Sequence, residues 1–283
     1  MAQPIRRKRT VKKSKPRFFG KWFLAIFSFI LIVVISIGIY KFRDGFLYYL
    51  GFKTNKYVHE LSADERKLAD IRIFEVLHKH DEKAIGFDVS EYQSDIDWEQ
   101  TYHINEAFEL SFVFIRSTAG KDKIDSRFKK NWKAAKKRQL IRGAYHYYRP
   151  NENSIEQAEN FIKTVKLQKG DLPPVLDIEK LPKSQSIDRL KVGLRRWLQK
   201  VEKHYKVKPI IYSGERYYED FLKEEFSDYP LWIANYNFWR NDLESDWYFW
   251  QFTEKAKIEG IKGLVDVNIF NGDKNKLFVF CMK

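Results

Sequence analysis

The chain has 283 residues, 44% hydrophobic and 17% aromatic, so it can build a packed core, and disorder along its whole length is excluded. Lys and Arg total 52 against 38 Asp and Glu, a formal charge of +14. Nine of the basic side chains crowd residues 1–21 with no acid among them; the remaining 43 basic against 38 acidic argue against nucleic acid as a partner.

Residues 1–21 read as a basic cytoplasmic tail. The next 19, Trp22 to Tyr40, contain neither charge nor proline. As a helix they span about 28 Å, close to the hydrocarbon thickness of a bilayer. A cleaved signal peptide is the rival reading, but its apolar run is about 7 to 15 residues and ends at small residues. Here the run is longer and passes into Tyr40, Lys41, Phe42 and Arg43, which favours an uncleaved anchor in the lipid bilayer. The heavier basic flank lies before the anchor, so the N-terminus is expected in the cytoplasm. The chain is then a single-pass protein of the cytoplasmic membrane, with everything after residue 41 outside.

Residues 41–83 read as a partly helical stalk. Ser62 and Glu65 form a capping box for a helix reaching toward His78 and His80. His78, His80, Asp81 and Glu82 have metal-ligand chemistry, but a solvated helix end explains them as well.

From residue 84 to 283 short apolar runs alternate with polar helical stretches. The runs 84–90, 112–118, 141–148, 173–179, 208–214, 230–236, 247–253 and 265–270 are expected strands, with helices near 127–139, 154–166, 187–206 and 215–226. Ser154 with Gln157 reads as a second capping box. This order predicts an α/β domain, a parallel-stranded barrel. Between the last two strands, residues 254–264 are too short and too glycine-rich for a crossover helix, so the last strand is expected to run antiparallel. Cys281 is the single cysteine and reads as a small apolar residue in or beside a final strand, which excludes an intrachain disulfide.

In such barrels chemistry sits at the C-terminal ends of the parallel strands. Asp88, Asp177 and Glu179 fall at such ends, and Asp266 begins the reversed strand, so four acids are expected on one rim. Asp177 and Glu179 are two apart on a strand and share a face. Carboxyl groups confined together cannot all ionise cheaply, and one that keeps its proton can protonate a glycosidic oxygen. Tyr145, Tyr147, Tyr212, Trp232, Tyr236 and Trp250 lie on strands whose ends line the same cleft, where aromatic faces suit sugar rings. His146, pointing away from Tyr145 and Tyr147, reads as structural.

The segments GFDVSEYQSDIDW (86–98), FVFIRSTAGKDKIDSRFKKNWKAAKKRQLIRGAYHYYRP (112–150), PPVLDIE (173–179), PIIYSG (209–214), LWIANY (231–236), WYFWQFT (247–253) and VDVNIFNG (265–272) together resemble glycoside hydrolase family 25, the muramidase-type lysozymes. The resemblance covers nearly all of 84–272. It implies a flattened, irregular (β/α)8-like barrel with an antiparallel last strand, here preceded by one transmembrane helix. It also implies cleavage of the β-1,4 bond between N-acetylmuramic acid and N-acetylglucosamine in peptidoglycan glycan strands. Carried over by position, Glu179 is the general acid, Asp177 its partner, and Asp88 and Asp266 complete an acidic floor. Tyr145, Tyr147, Tyr212, Trp232 and Gln251 match cleft-lining positions, and Tyr236 joins them as substrate-binding. Glu91 and Ser94 depart from the usual residues of the first motif.

The D-x-E pair on one strand is the arrangement of substrate-assisted enzymes, so retention is expected, with Asp177 orienting the 2-acetamido group. No cofactor and no metal are expected, and the catalytic domain is expected to be monomeric. Two other readings stand beside the enzyme: a wall-binding module that has lost catalysis, and a membrane-anchored assembly protein on the same barrel.

Overall fold

The computed structural model describes residues 19–54 and 61–283, and the chain divides into two units, Met1–Phe46 and Leu47–Lys283. Helix α1 (Phe19–Thr54) is continuous, and its stretch Leu24–Lys41 is long and apolar enough to cross a membrane. Leu24, Phe27, Phe29, Ile32 and Ile35 are all exposed on it, a surface that suits hydrocarbon better than water. The helix continues beyond Tyr40 into the first part of the expected stalk. Most of the basic tail, and residues 55–60 of the stalk, lie outside the described residues.

Helix α2 (Ala63–Lys79) carries the expected capping box: Glu65 N donates to Ser62 Oγ at 3.3 Å and Ser62 N donates back to the Glu65 carboxylate at 3.0 Å. The stalk expectation fails here. Ala69, Arg72, Ile73, Val76 and Leu77 recur at helical spacing and are buried, and Ile73, Val76 and Leu77 belong to the main core. The folded unit therefore starts before residue 84.

The strands follow in chain order: β1 (Ile85–Val89), β2 (His103–Ile104), β3 (Phe108–Ala119), β4 (Lys123–Ile124), β5 (Ile141–Tyr147), β6 (Val175–Asp177), β7 (Ile210–Gly214), β8 (Leu231–Ala234), β9 (Trp247–Ala256) and β10 (Val265–Phe270). Interleaved with them are α3 (Phe128–Lys137), α4 (Ser154–Thr164), α5 (Ile187–Tyr205), α6 (Glu215–Phe221) and α7 (Lys223–Phe226), and α8 (Lys274–Phe280) ends the chain. Parallel pairing runs from β1 through β3, β5, β6, β7 and β8 to β9. Strand β10 then lies antiparallel between β9 and β1 and closes the barrel, as its short connection requires. All eight expected strands are present, and β2 and β4 are short additions paired to β3.

Two apolar layers hold the barrel. Outside it, α5 buries Leu190, Leu194, Trp197, Leu198 and Val201 against the strands, the face its spacing of three and four prescribes. Inside it, Phe112, Phe114, Tyr212, Trp232, Phe249 and Phe270 fill the floor, with Phe114 stacked on Trp232 at 4.2 Å. Gly86 leaves the room Phe112 needs: a Cβ there would sit 2.5 Å from its ring.

Three local expectations change. The cap of α4 is Asn153, whose Oδ1 accepts from Ile155 N at 2.9 Å, because Gln157 is drawn inward to His146 Nε2 at 3.1 Å. The expected 215–226 helix breaks at Leu222 into α6 and α7. Cys281 follows α8 rather than a strand; it is buried, its Sγ donates to Leu277 O at 3.3 Å, and burial pushes the thiol up to about 12.

Candidate active site

The parallel strands end together, and their register sets the site. Tyr147 on β5, Asp177 on β6, Tyr212 on β7 and Trp232 on β8 are successive lateral neighbours. Across the closure Asp88 on β1 faces Asp266 on β10 directly. A direct antiparallel pair shares one face of the sheet, so these two carboxyl groups lean into the same space. Glu179 lies two residues beyond Asp177, while Ile178 between them is fully buried in the outer core. The alternation read from the sequence therefore holds past the strand end.

Asp88, Asp177, Glu179, Asp266, Tyr145, Tyr147, Tyr212, Trp232, Tyr236 and Gln251 all line one cavity of about 270 Å³. A wider groove of about 1470 Å³ between residues 61–66, 99–106 and 257–264 contains none of them. The acids differ in access. Asp88 and Asp177 are buried, Asp266 is half-buried and Glu179 is exposed.

A polar network fixes Asp88. Gln251 Nε2 donates to its Oδ2 at 2.8 Å and Asn268 Nδ2 at 2.9 Å. The Gln251 Oε1 in turn accepts from Tyr212 Oη at 2.7 Å and from Tyr236 Oη, and Trp232 Nε1 donates to Asn268 Oδ1 at 2.8 Å. Burial pushes Tyr212 and Tyr236 well above the ordinary tyrosine value, so both remain hydroxyl donors. Asp177 has a different setting: its buried Oδ1 accepts no hydrogen bond from the protein.

Burial, followed by the charges of Glu179 and Asp88, pushes Asp177 well up. Burial and then Asp88 push Asp266 well up. Asp88 rises to about 7 through burial, opposed by its hydrogen bonds from Asn268 and Gln251. The folded protein therefore holds the Asp88 proton more tightly than the unfolded chain does. The stability this contributes is complete below the ordinary carboxyl value and is lost as pH climbs to about 7. Asp88→Asn is expected to melt roughly 5 °C above the parent at pH 8 and to match it near pH 4. Equal melting temperatures of the two proteins at pH 8 would contradict this.

Arg116, Tyr92, Gln93 and Glu254 also line the cavity and were not picked out from the sequence. Arg116 is buried; its Nε donates to Asp125 Oδ2 at 2.9 Å, its Nη2 to Glu91 Oε1 at 3.0 Å, and its guanidinium lies 4.6 Å from the Tyr92 ring centre. Glu91, the departure in the first motif, is held by Lys123, Ser126 and Arg116 and falls to about 2, chiefly through the Lys123 hydrogen bond. The signal for Arg116 was available: it is the one charge inside the apolar run FVFIRST. Asn268, which fixes Asp88 from within VDVNIF, was missed as well.

Trp250 does not join the cleft. It faces the outer core, with Nε1 donating to Asn235 O at 2.9 Å. His146 is structural: it is fully buried, its Nδ1 is 2.7 Å from Thr118 Oγ1, it stacks on Trp197, and burial pushes it down to about 3. Among the described residues no group of three His, Cys, Asp or Glu is placed to hold a metal ion, and His80 is buried with Nε2 at 2.8 Å from Asn241 O.

A family profile described as Glycosyl hydrolases family 25 matches residues 87–261. The chain belongs to glycosyl hydrolase family 25. It is a glycosidase with muramidase activity, and its substrate is cell-wall peptidoglycan. Among its relatives is the uncharacterized protein YegX of Escherichia coli strain K12, 37% identical over 238 residues, covering 83% of this chain and 85% of that one. Lysozyme M1 of Streptomyces globisporus is 30% identical over 207 residues, covering 68% of this chain and 69% of the relative. The structure of a family 25 glycosyl hydrolase from Bacillus anthracis superposes with a TM-score of 0.63 at 31% identity, covering 71% of this chain and 94% of that one. The family 25 match begins inside β1, so α2 precedes it.

Proposed function

We propose that this family 25 enzyme cleaves the β-1,4 bond between N-acetylmuramic acid and N-acetylglucosamine with retention, Glu179 serving as general acid and then as base. The supporting observation is the bare Oδ1 of Asp177, buried at the cavity wall two residues before the exposed Glu179 carboxyl. An acceptor left without a donor costs free energy unless substrate completes it. The N–H of a 2-acetamido group is the donor a muramic acid residue would bring.

In this scheme Glu179 protonates the leaving oxygen and the acetamido carbonyl oxygen attacks the anomeric carbon, displacing it. The resulting oxazolinium carries positive charge beside Asp177, whose ionised form that charge favours. Glu179, now a carboxylate, takes a proton from water, and the hydroxide opens the ring on the original face. Asp88 and Asp266 complete the acidic floor, with Asp88 held by Gln251 and Asn268. Tyr145, Tyr147, Tyr212, Trp232, Tyr236 and Gln251 form the walls that receive the sugar.

The catalytic unit works as a monomer in this scheme, its four acids lining a single cavity. The apolar helix within 22–40, with its basic flank, anchors the chain in the cytoplasmic membrane with the N-terminus inside and the enzyme on the wall side. Mass spectrometry of fragments released from purified peptidoglycan should show new reducing-end muramic acid, and NMR taken early in the reaction should show it as the β-anomer. A reducing-end glucosamine or an initial α-anomer would defeat the scheme.

A further inference from the structure

In a β/α barrel each parallel strand is normally followed by a helix that covers the next one. After β8 the chain forms no such helix: residues 235–246 run as an irregular loop from the cavity side back to the start of β9. Strand β9 is covered instead by α2, which precedes the whole barrel in sequence. Arg66 Nη1 donates to Lys255 O on β9 at 2.8 Å, and Ile73, Val76 and Leu77 lie in the core beside it.

The loop is tied to this helix. The Arg72 guanidinium is buried, 5.9 Å from the Trp250 ring centre, and its Nη2 donates to Asn237 O at 3.1 Å and to Arg240 O, while Nη1 donates to Asn241 Oδ1. His80 Nε2 meets Asn241 O at 2.8 Å, and Lys79 Nζ pairs with Asp242 Oδ2 at 2.7 Å. A buried guanidinium needs acceptors, and an irregular loop needs donors for its carbonyls; each meets the other's need.

Tyr236 immediately precedes the tied segment. Its hydroxyl donates to Gln251 Oε1, and Gln251 holds Asp88. We propose that α2 is a working part of the active site, with Arg72 a positioning residue that sets the substrate-facing wall at Tyr236 through the 235–246 loop. This rests on the cleft around Glu179 being the site of cleavage. Arg72 touches no reacting atom; it fixes the backbone one residue away from one that lines the cavity.

The test uses the full chain in detergent with purified peptidoglycan. Arg72→Met keeps the stem that packs on Trp250 and removes the donors. It is expected to raise KM roughly 10-fold with kcat changed by less than about 3-fold, and to speed amide exchange across 235–246 while strand amides stay protected. Arg72→Lys supplies charge without the planar fork and should fall between. Unchanged KM and unchanged loop exchange in Arg72→Met overturn the proposal. Should Arg72→Met lose strand protection as well, Asn241→Ala decides: this exposed partner should still raise KM a few-fold and loosen the loop, and a wild-type result there overturns the proposal. Glu179→Gln run alongside separates the two claims, because its full activity would remove the cleft assignment and not the tether.

Discussion

Glu179→Gln lowers peptidoglycan turnover by about 10²- to 10⁴-fold, the contribution expected of a general acid, while the protein melts cooperatively within about 2 °C of the parent. The side chain is exposed at the cavity mouth and belongs to neither apolar layer, so an isosteric amide disturbs little packing. The amide keeps shape and polarity but has no proton to give to a departing alkoxide. Asp88 and Asp177 cannot take over, since Asp88 is buried and fixed by two amides and Asp177 is buried beside Tyr147 and Tyr212. Release of reducing sugar from purified peptidoglycan, measured with a thermal melt of each protein, checks it. Turnover within tenfold of the parent would assign the acid elsewhere.

Removing α2 has the largest expected effect on stability. A fragment beginning at residue 84 loses Ile73, Val76 and Leu77 from the main core and uncovers the outer face of β9. Fully burying each such side chain contributes about 1.5–3 kcal/mol, so the three together supply roughly 5–9 kcal/mol. That is comparable with the whole net stability of a typical domain, about 5–15 kcal/mol. The fragment 84–283 is therefore expected to melt at least 10 °C below the fragment 61–283, or to show no cooperative transition. Calorimetry on the two fragments decides it, and melting points within about 2 °C would mean that α2 is an ornament.

The barrel was legible because its strands are buried on both faces and read as short apolar runs between turns, and because the connection between β9 and β10 is too short for a crossover. That the four acids gather at one cavity was legible for a related reason: each falls at a strand end that opens on the same rim. Arg116, a charge inside another apolar run, is harder to read: its partners Glu91 and Asp125 stand 25 and 9 residues away, and their pairing exists only once β3 and β4 have folded back. Helix α2 was misread for a different reason. Its buried face includes Arg72, and a charged residue at that spacing reads as surface until a loop more than 160 residues later supplies its acceptors. Trp250 is expected at the cleft because its strand ends there, but Gln251 faces the cavity and strand alternation sends the neighbouring ring outward.

The sealed thiol of Cys281 has a further consequence. A chain whose one sulfhydryl is buried and strongly disinclined to ionise has neither a bridge to lose in a reducing compartment nor a reactive handle in an oxidising one. Its cohesion depends on non-covalent contacts, so a change in thiol–disulfide poise leaves its cross-linking unchanged.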